Sequence, residues 1–168
     1  GRLRYTVTPR FAVSCSADML RESAALAAAT GTYWQSHIAE DRDEIRTVHE
    51  LFPDALDYTD VYERAGGLGP RSILAHGCHF DHDELQLIDA RGATIVTNPC
   101  SNLKLAGGDA FPYPAAHAAG VAIGLGTDGV ASNNSLDLLS ELKFLALIQK
   151  HAEATGSAYR TGTGLAAP

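Results

Sequence analysis

Ser72-Ile73-Leu74-Ala75-His76-Gly77 is an apolar run of strand length that stops on a histidine and a glycine. A segment this short, apolar at successive positions and closed by a breaker, reads as a strand buried on both faces, the kind found in parallel sheets. The same grammar recurs around it. Thr32-Tyr33-Trp34-Gln35-Ser36-His37 also ends on a histidine, Ala93 to Thr97 runs into Asn98, and Val121 to Gly126 runs into Thr127-Asp128. Near the start, Tyr5 to Val13 gives a further strand, with Arg10 late in it. Helical stretches separate these strands. One runs from an N-cap at Ser16 to Gly31, one from Asp41 to Leu51, and one from Tyr58 to Ala65 ahead of Gly66-Gly67. Another spans Asp81 to Arg91, and a last one, capped by Asn133 and Asn134, starts near Ser135 and reaches Ala152.

Strands alternating with helices of this kind are repeated βα units around a parallel sheet, which leaves a doubly wound sheet or a (β/α)8 barrel. The polar residues decide between them. Arg10, His37, His76, Asn98 and Asp128 all fall at or just past the C-terminal end of a strand. Barrel enzymes draw their catalytic groups from several successive strand ends in this way. No GxGxxG follows the first strand, which argues against a dinucleotide site. A full barrel takes about 250 residues. Five strands are readable in the 168 residues here. The expected fold is therefore α/β, a TIM-type (β/α)8 barrel of the metal-dependent hydrolase kind, present as about five of its eight βα units. These fill residues 1–155, with the first three strands of the barrel missing and an irregular tail over 156–168.

Composition narrows the partners. A net charge of −7 speaks against nucleic acid and against an anionic membrane surface, both of which reward basic proteins. No apolar run approaches the roughly 20 residues needed to span a bilayer. Cys15, Cys78 and Cys100 are odd in number and form no CxxC pair. Reduced thiols and a cytoplasmic location are the expectation.

His37, in His37-Ile38-Ala39-Glu40, can offer a neutral imidazole nitrogen to a metal, and Glu40 can shuttle protons beside it. The plainer reading of Glu40 is a helix N-terminal carboxylate favoured by the macrodipole. His76 either ligates metal or polarises the attacking water, against the alternative of a core histidine satisfied by a carbonyl. Asp128, ending an apolar strand in Gly124-Leu125-Gly126-Thr127-Asp128-Gly129, needs a partner if buried; a metal supplies one, a turn the other account. Arg10 can read a ring carbonyl or carboxylate, or sit in a structural ion pair. Asn98 and Ser101-Asn102-Leu103-Lys104-Leu105 read as a polar loop near the mouth. His49, His79, His82, His117 and His151 carry no expected metal role. Cys78 reads as a packed thiol. Zinc would acidify a water into a hydroxide nucleophile, leaving one carboxylate to take a proton and another to deliver one.

Thr8 to Ser16, Gln35 to Glu44 and Ala75-His76-Gly77-Cys78 resemble guanine deaminases, while Asn98-Pro99 through Leu105 and Gly124 through Asn134 are similar to methylthioadenosine/S-adenosylhomocysteine deaminases and the triazine chlorohydrolase group. All are zinc aminohydrolases of the amidohydrolase superfamily. The resemblance covers about Tyr5 to His151 and implies a hydrolytic deaminase of a purine or related heterocycle. It implies His37, His76 and Asp128 at a zinc site (iron as the alternative metal), and Glu40, His76 and Asp128 as catalytic groups. Arg10, Glu40 and Asn98 would contact substrate, and the assembly would be a homo-oligomer. The family's HxH ligand pair is absent from this sequence. That absence supports a second reading, a catalytically incomplete half-barrel that pairs with another copy or a complementing piece. A third is a hydrolase expelling another group, such as halide, from a heterocycle; Glu40, suited to protonating an amine, speaks against it.

Overall fold

The computed structural model describes residues 3–105 and 110–155; the expected tail over 156–168 lies outside them. Five parallel strands form one sheet in sequence order: β1 (Thr6–Val7), β2 (Tyr33–Ile38), β3 (Ser72–His76), β4 (Thr94–Thr97) and β5 (Ala122–Leu125). Each strand lies beside its sequence neighbour, as one wall of a barrel does and a doubly wound sheet does not.

The connections are helical: α1 (Ala17–Thr30), α2 (Arg42–Leu51), α3 (Tyr58–Arg64), α4 (His82–Arg91), α5 (Pro99–Leu105), α6 (Tyr113–Ala118) and α7 (Leu138–Thr155). Local chemistry sets their ends. Ser16 caps α1 by accepting from Met19 N, and Gly31 closes it in the left-handed conformation. Asp41 with Glu44 and Asp81 with Glu84 form capping boxes at α2 and α4.

One face of the sheet carries the core. In β2, Trp34, Ser36 and Ile38 are buried while Tyr33, Gln35 and His37 between them are half-buried. Trp34, Ile38, Leu74 and Ile95 pack with Leu20, Val48, Tyr62, Phe80, Leu85 and Ile88. The opposite face, which a closed barrel fills with layers of side chains, is half-covered here, and on β5 Ala122 is exposed.

Several expectations are corrected. The first strand is short: β1 ends at Val7, and a single 3-10 turn follows at Ala12–Ser14. Pro9 lacks a donor for a ladder, and the Arg10 carbonyl turns to β2 instead, accepting from His37 N at 3.0 Å. The polar stretch after Asn98 is helix α5, and α6 follows where no element was expected. The last helix begins at Leu138 rather than Ser135. Asn133 accepts from Ser135 N, but its amide group donates to Thr127 O and to the Glu141 carboxylate, so it ties a loop to α7 instead of capping that helix.

Candidate active site

Among the described residues, three that are not glycine have positive φ: Ala39 at 48°, His76 at 76° and Asp128 at 57°. Such backbone is costly for a side chain-bearing residue and gathers at functional sites. Here each one sits just after or at the end of a strand, and two of them, His76 and Asp128, carry site side chains. The register shows the effect at His76. Ile38 pairs with His76, and His37 with Ala75. Strict alternation would put His76 on the face of Ile38, away from His37. The left-handed turn reverses that, and the two imidazoles stack with centroids 5.2 Å apart and planes 26° apart.

His37 is held by its inner nitrogen. Nδ1 lies 2.6 Å from the Arg10 carbonyl, which can only accept, so Nδ1 carries a proton and Nε2 is the nitrogen left to act as a ligand. That carbonyl also accepts from Ser36 Oγ at 3.3 Å. Tyr62 donates its hydroxyl to His37 O at 2.6 Å, bonds to Ser36 Oγ at 2.9 Å, and accepts from Ala12 N at 3.1 Å.

His76 is 1% exposed, and Nδ1 is 2.8 Å from Asn102 Oδ1. A carbonyl-type partner again places the proton on Nδ1 and the lone pair on Nε2. Burial lowers the proton affinity of His76, outweighing the Asn102 hydrogen bond, and keeps the ring neutral. Its Nε2 lies 3.6 Å from Glu40 Oε2.

Asp128 accepts from Ser101 Oγ at 2.6 Å and from Gly129 N at 2.7 Å. Burial pushes its carboxyl up, but bonds from Ser101, Gly129 and Ser132 prevail and hold it below the usual carboxylate range. Glu40 moves the other way. Burial raises its proton affinity against the opposing pull of His37, and Asp128 adds to the rise. Two carboxyls in one site are thus pushed apart, one towards acid and one towards base.

One ligand atom each from His37, His76 and Asp128 lie within 4.8 Å of one another. Imidazole nitrogens and a carboxylate are donors that zinc takes. Each ring has its second nitrogen anchored, as metal-bound histidines do. The donor set fits zinc, and equally fits iron.

The other sequence-predicted residues are placed as follows. The Arg10 main chain touches the site, whereas its guanidinium is exposed and lies over the Phe11 ring at 4.5 Å, within electrostatic range of Glu40. Asn98 is 4% exposed, with Nδ2 donating to Val96 O at 3.4 Å and lying 3.5 Å from His76 Nδ1. Cys78 is buried and His79 half-buried, while His82 opens α4 exposed. Cavities of about 350 Å³ (beside Leu20, Phe52 and Val61) and about 430 Å³ (beside Cys100, Lys104 and Phe144) are lined by none of the cluster residues. The cluster lies on the open face of the sheet.

Sequence reasoning missed Ser101, Asn102, Tyr62, Glu44 and Glu141. For the first two a signal existed. Pro99 suits the first position of a helix, and Asn98, Ser101 and Asn102 then fall at i, i+3, i+4 on one face.

Comparisons with known proteins show the family. The family model described as "Amidohydrolase family" matches residues 1–164. Guanine deaminase of Rattus norvegicus is 37% identical over 153 residues, covering 88% of this chain and 32% of that protein. The 5-methylthioadenosine/S-adenosylhomocysteine deaminase of Pyrococcus abyssi is 36% identical over 150 residues, covering 89% of this chain and 35% of that one. Among solved structures, E. coli guanine deaminase superposes with a TM-score of 0.86 at 30% identity, over 91% of this chain and 35% of that chain. This chain spans about a third of the length of these relatives. With its parallel wall of βα units, its strand-end histidines and aspartate, and a family model matched along nearly its whole length, the chain belongs to the amidohydrolase family.

Proposed function

We propose that this chain supplies the His37–Glu40–His76–Asp128 part of the active site of a zinc-dependent hydrolytic deaminase acting on a purine or related N-heterocycle. One observation carries the reading: His37, His76 and Asp128 converge within 4.8 Å, with Glu40 3.6 Å from His76. The guanine deaminase relatives favour guanine as substrate, and the methylthioadenosine/S-adenosylhomocysteine relative favours an adenine nucleoside as the next to try.

Zinc held by His37 Nε2, His76 Nε2 and Asp128 would supply Lewis acidity and acidify water. The rest falls to the chain's own groups. Hydrolytic deamination adds water across a ring C=N bond and breaks the exocyclic C–N bond to release ammonia, so both protons of the water must be moved, one to the ring nitrogen and one to the leaving amine. Asp128, held ionised, is the acceptor. Glu40, whose proton affinity is raised by burial, is the group that carries the proton on. His76, kept neutral, leaves Nε2 available as a ligand rather than titrating. Arg10 and Asn98 are proposed as substrate contacts, Arg10 through a guanidinium free to leave Phe11.

A second reading rests on its own observation. Among the described residues no further strand pairs with β1 or β5, and Leu138, Leu139, Leu142, Phe144 and Leu147 on α7 are all at least 43% exposed. Exposed edges and apolar faces favour association. On this reading the chain needs a second copy or further βα units to complete its ligand set, consistent with the missing HxH.

The test is metal content together with ammonia release from guanine, methylthioadenosine and S-adenosylhomocysteine. About one zinc per chain with turnover supports the deaminase. Zinc-free protein with no turnover for any of the three overturns it for this chain and leaves the incomplete half-barrel.

A further inference from the structure

Helix α5 is where two grips on the candidate ligands come from adjacent residues. Ser101 donates to Asp128 Oδ2 at 2.6 Å, and Asn102 presents Oδ1 to His76 Nδ1 at 2.8 Å. Both side chains are 0% exposed. Asn102 makes a second bond, its amide group donating to Thr97 Oγ1 at 3.4 Å while its oxygen faces the imidazole. The helix is tied at its own start. Cys100 N donates to Glu141 Oε2 at 2.9 Å, and Asn133 Nδ2 donates to Glu141 Oε1 at 2.7 Å and to Thr127 O at 2.9 Å. Glu141 on α7 is 1% exposed, so its carboxylate is a buried anchor joining α5 to the loop that carries Asp128. No step of the proposed chemistry uses these residues.

We propose that Asn102 and Ser101 are positioning residues: Asn102 fixes the Nδ1-protonated tautomer of His76 so that Nε2 faces the metal, Ser101 orients the Asp128 carboxylate, and Glu141 holds α5 in register with both. The proposal rests on the zinc-site reading above. Its physical basis is that an imidazole with one nitrogen hydrogen-bonded to a fixed acceptor is locked in tautomer and ring angle. Losing such a partner lowers metal affinity about 10–100-fold. An alternative role, filling space, makes a different demand. Leucine at position 102 would fill the volume, whereas aspartate alone would restore the acceptor.

The experiment has two arms on the chain as it stands. In the first, the imidazole nitrogens of metal-free protein are read by 15N NMR. His76 is expected with Nδ1 protonated and Nε2 bare, and with mixed tautomers in Asn102→Leu. In the second, Co²⁺ or Zn²⁺ is titrated. Asn102→Leu and Ser101→Ala are expected to weaken binding about 10–100-fold, with Asn102→Asp recovering most of the loss. An Nε2-protonated His76 in the unmutated chain overturns the proposal whatever the variants do. So does a Leu variant that binds as tightly as the parent, or an Asp variant no better than Leu. If the unmutated chain binds no metal while its His76 carries the expected tautomer, the zinc-site reading fails and the orienting role of Asn102 stands.

Discussion

His76 shows how much one backbone angle decides. At φ 76° it turns its ring from the helix-facing side of the sheet onto His37, and Gly77 follows at φ 67°. A side chain at position 77 meets two penalties at once: positive φ, and Phe80 Cε2 at 2.3 Å from the added carbon. Gly77→Ala is expected to destabilise the fold by about 1–3 kcal/mol, seen as a lower urea midpoint, and to weaken zinc binding because the ring it supports moves. An unchanged midpoint would show that Phe80 yields freely. Glu40 makes the complementary case. Its carboxyl touches the site but is not among the converging ligand atoms. Glu40→Gln is therefore expected to keep zinc content while lowering kcat by about 10²–10⁴-fold. Loss of zinc in that variant would reassign Glu40 as a ligand.

At the scale of elements, the β2–α2 junction is built as one unit. Glu44 Oε2 accepts from Glu40 N at 2.8 Å, and Tyr58 donates to Glu44 Oε1 at 2.6 Å. Burial drives the Tyr58 and Tyr62 hydroxyls far above their ordinary values, so both remain protonated donors throughout the working range. Tyr62→Phe removes the donor to His37 O and leaves Ala12 N to the longer 3.3 Å contact with Tyr58. The expected cost is about 1–3 kcal/mol, measurable by chemical denaturation, and a variant as stable as the parent would mean water replaces the hydroxyl. The start of α2 near Asp41 was legible from sequence, and the structure adds its capping box with Glu44. The tyrosines were not, because Tyr58 and Tyr62 lie 14 and 25 residues away from the groups they bind. Helix α5 was readable in principle from Asn98, Pro99, Ser101 and Asn102, but a polar seven-residue segment carries too weak a periodic signal to separate from a loop.

For the whole molecule, pH and metal are expected to act on global stability. Glu84 is buried, accepts from Thr59 Oγ1 and Asp81 N, and is raised to about 7, chiefly by burial and then by Asp57 and Asp81. Its folded value stands above the ordinary 4.5, so between those values the native state binds more protons than the unfolded one. Stability from this group is therefore lost as pH rises through that window. Glu84→Gln is expected to flatten the decline by up to about 3 kcal/mol, checked by unfolding at pH 5 and pH 7.5; parallel curves for parent and variant would discount the shift. Zinc at about 100 times its Kd is expected to stabilise the chain by about 2.7 kcal/mol, reversed by chelator. A midpoint indifferent to both would count against the cluster as a metal site in this chain. No helix among the described residues is long and apolar enough to cross a membrane.

The sequence by itself determined what local chemistry determines. Apolar runs closed by polar residues, Ser16 as a cap, Gly31 as a stop, and helix starts at Asp41 and Asp81 made the alternation of strand and helix readable. Period and cap act within one or two turns, so no partner elsewhere is needed to see them. It also put His37, His76 and Asp128 at strand ends. Tertiary structure decided the rest. Parallel pairing in the order β1 to β5 brought those ends to one end of the sheet, and left-handed backbone at His76 and Asp128 accompanies the convergence of their groups with His37. Contacts spanning 26 and 27 residues, Asn102 to His76 and Ser101 to Asp128, settled which nitrogen is bare and which carboxylate stays charged. Tautomer and charge depend on what faces a group in space, and neighbours in space are not neighbours in the chain.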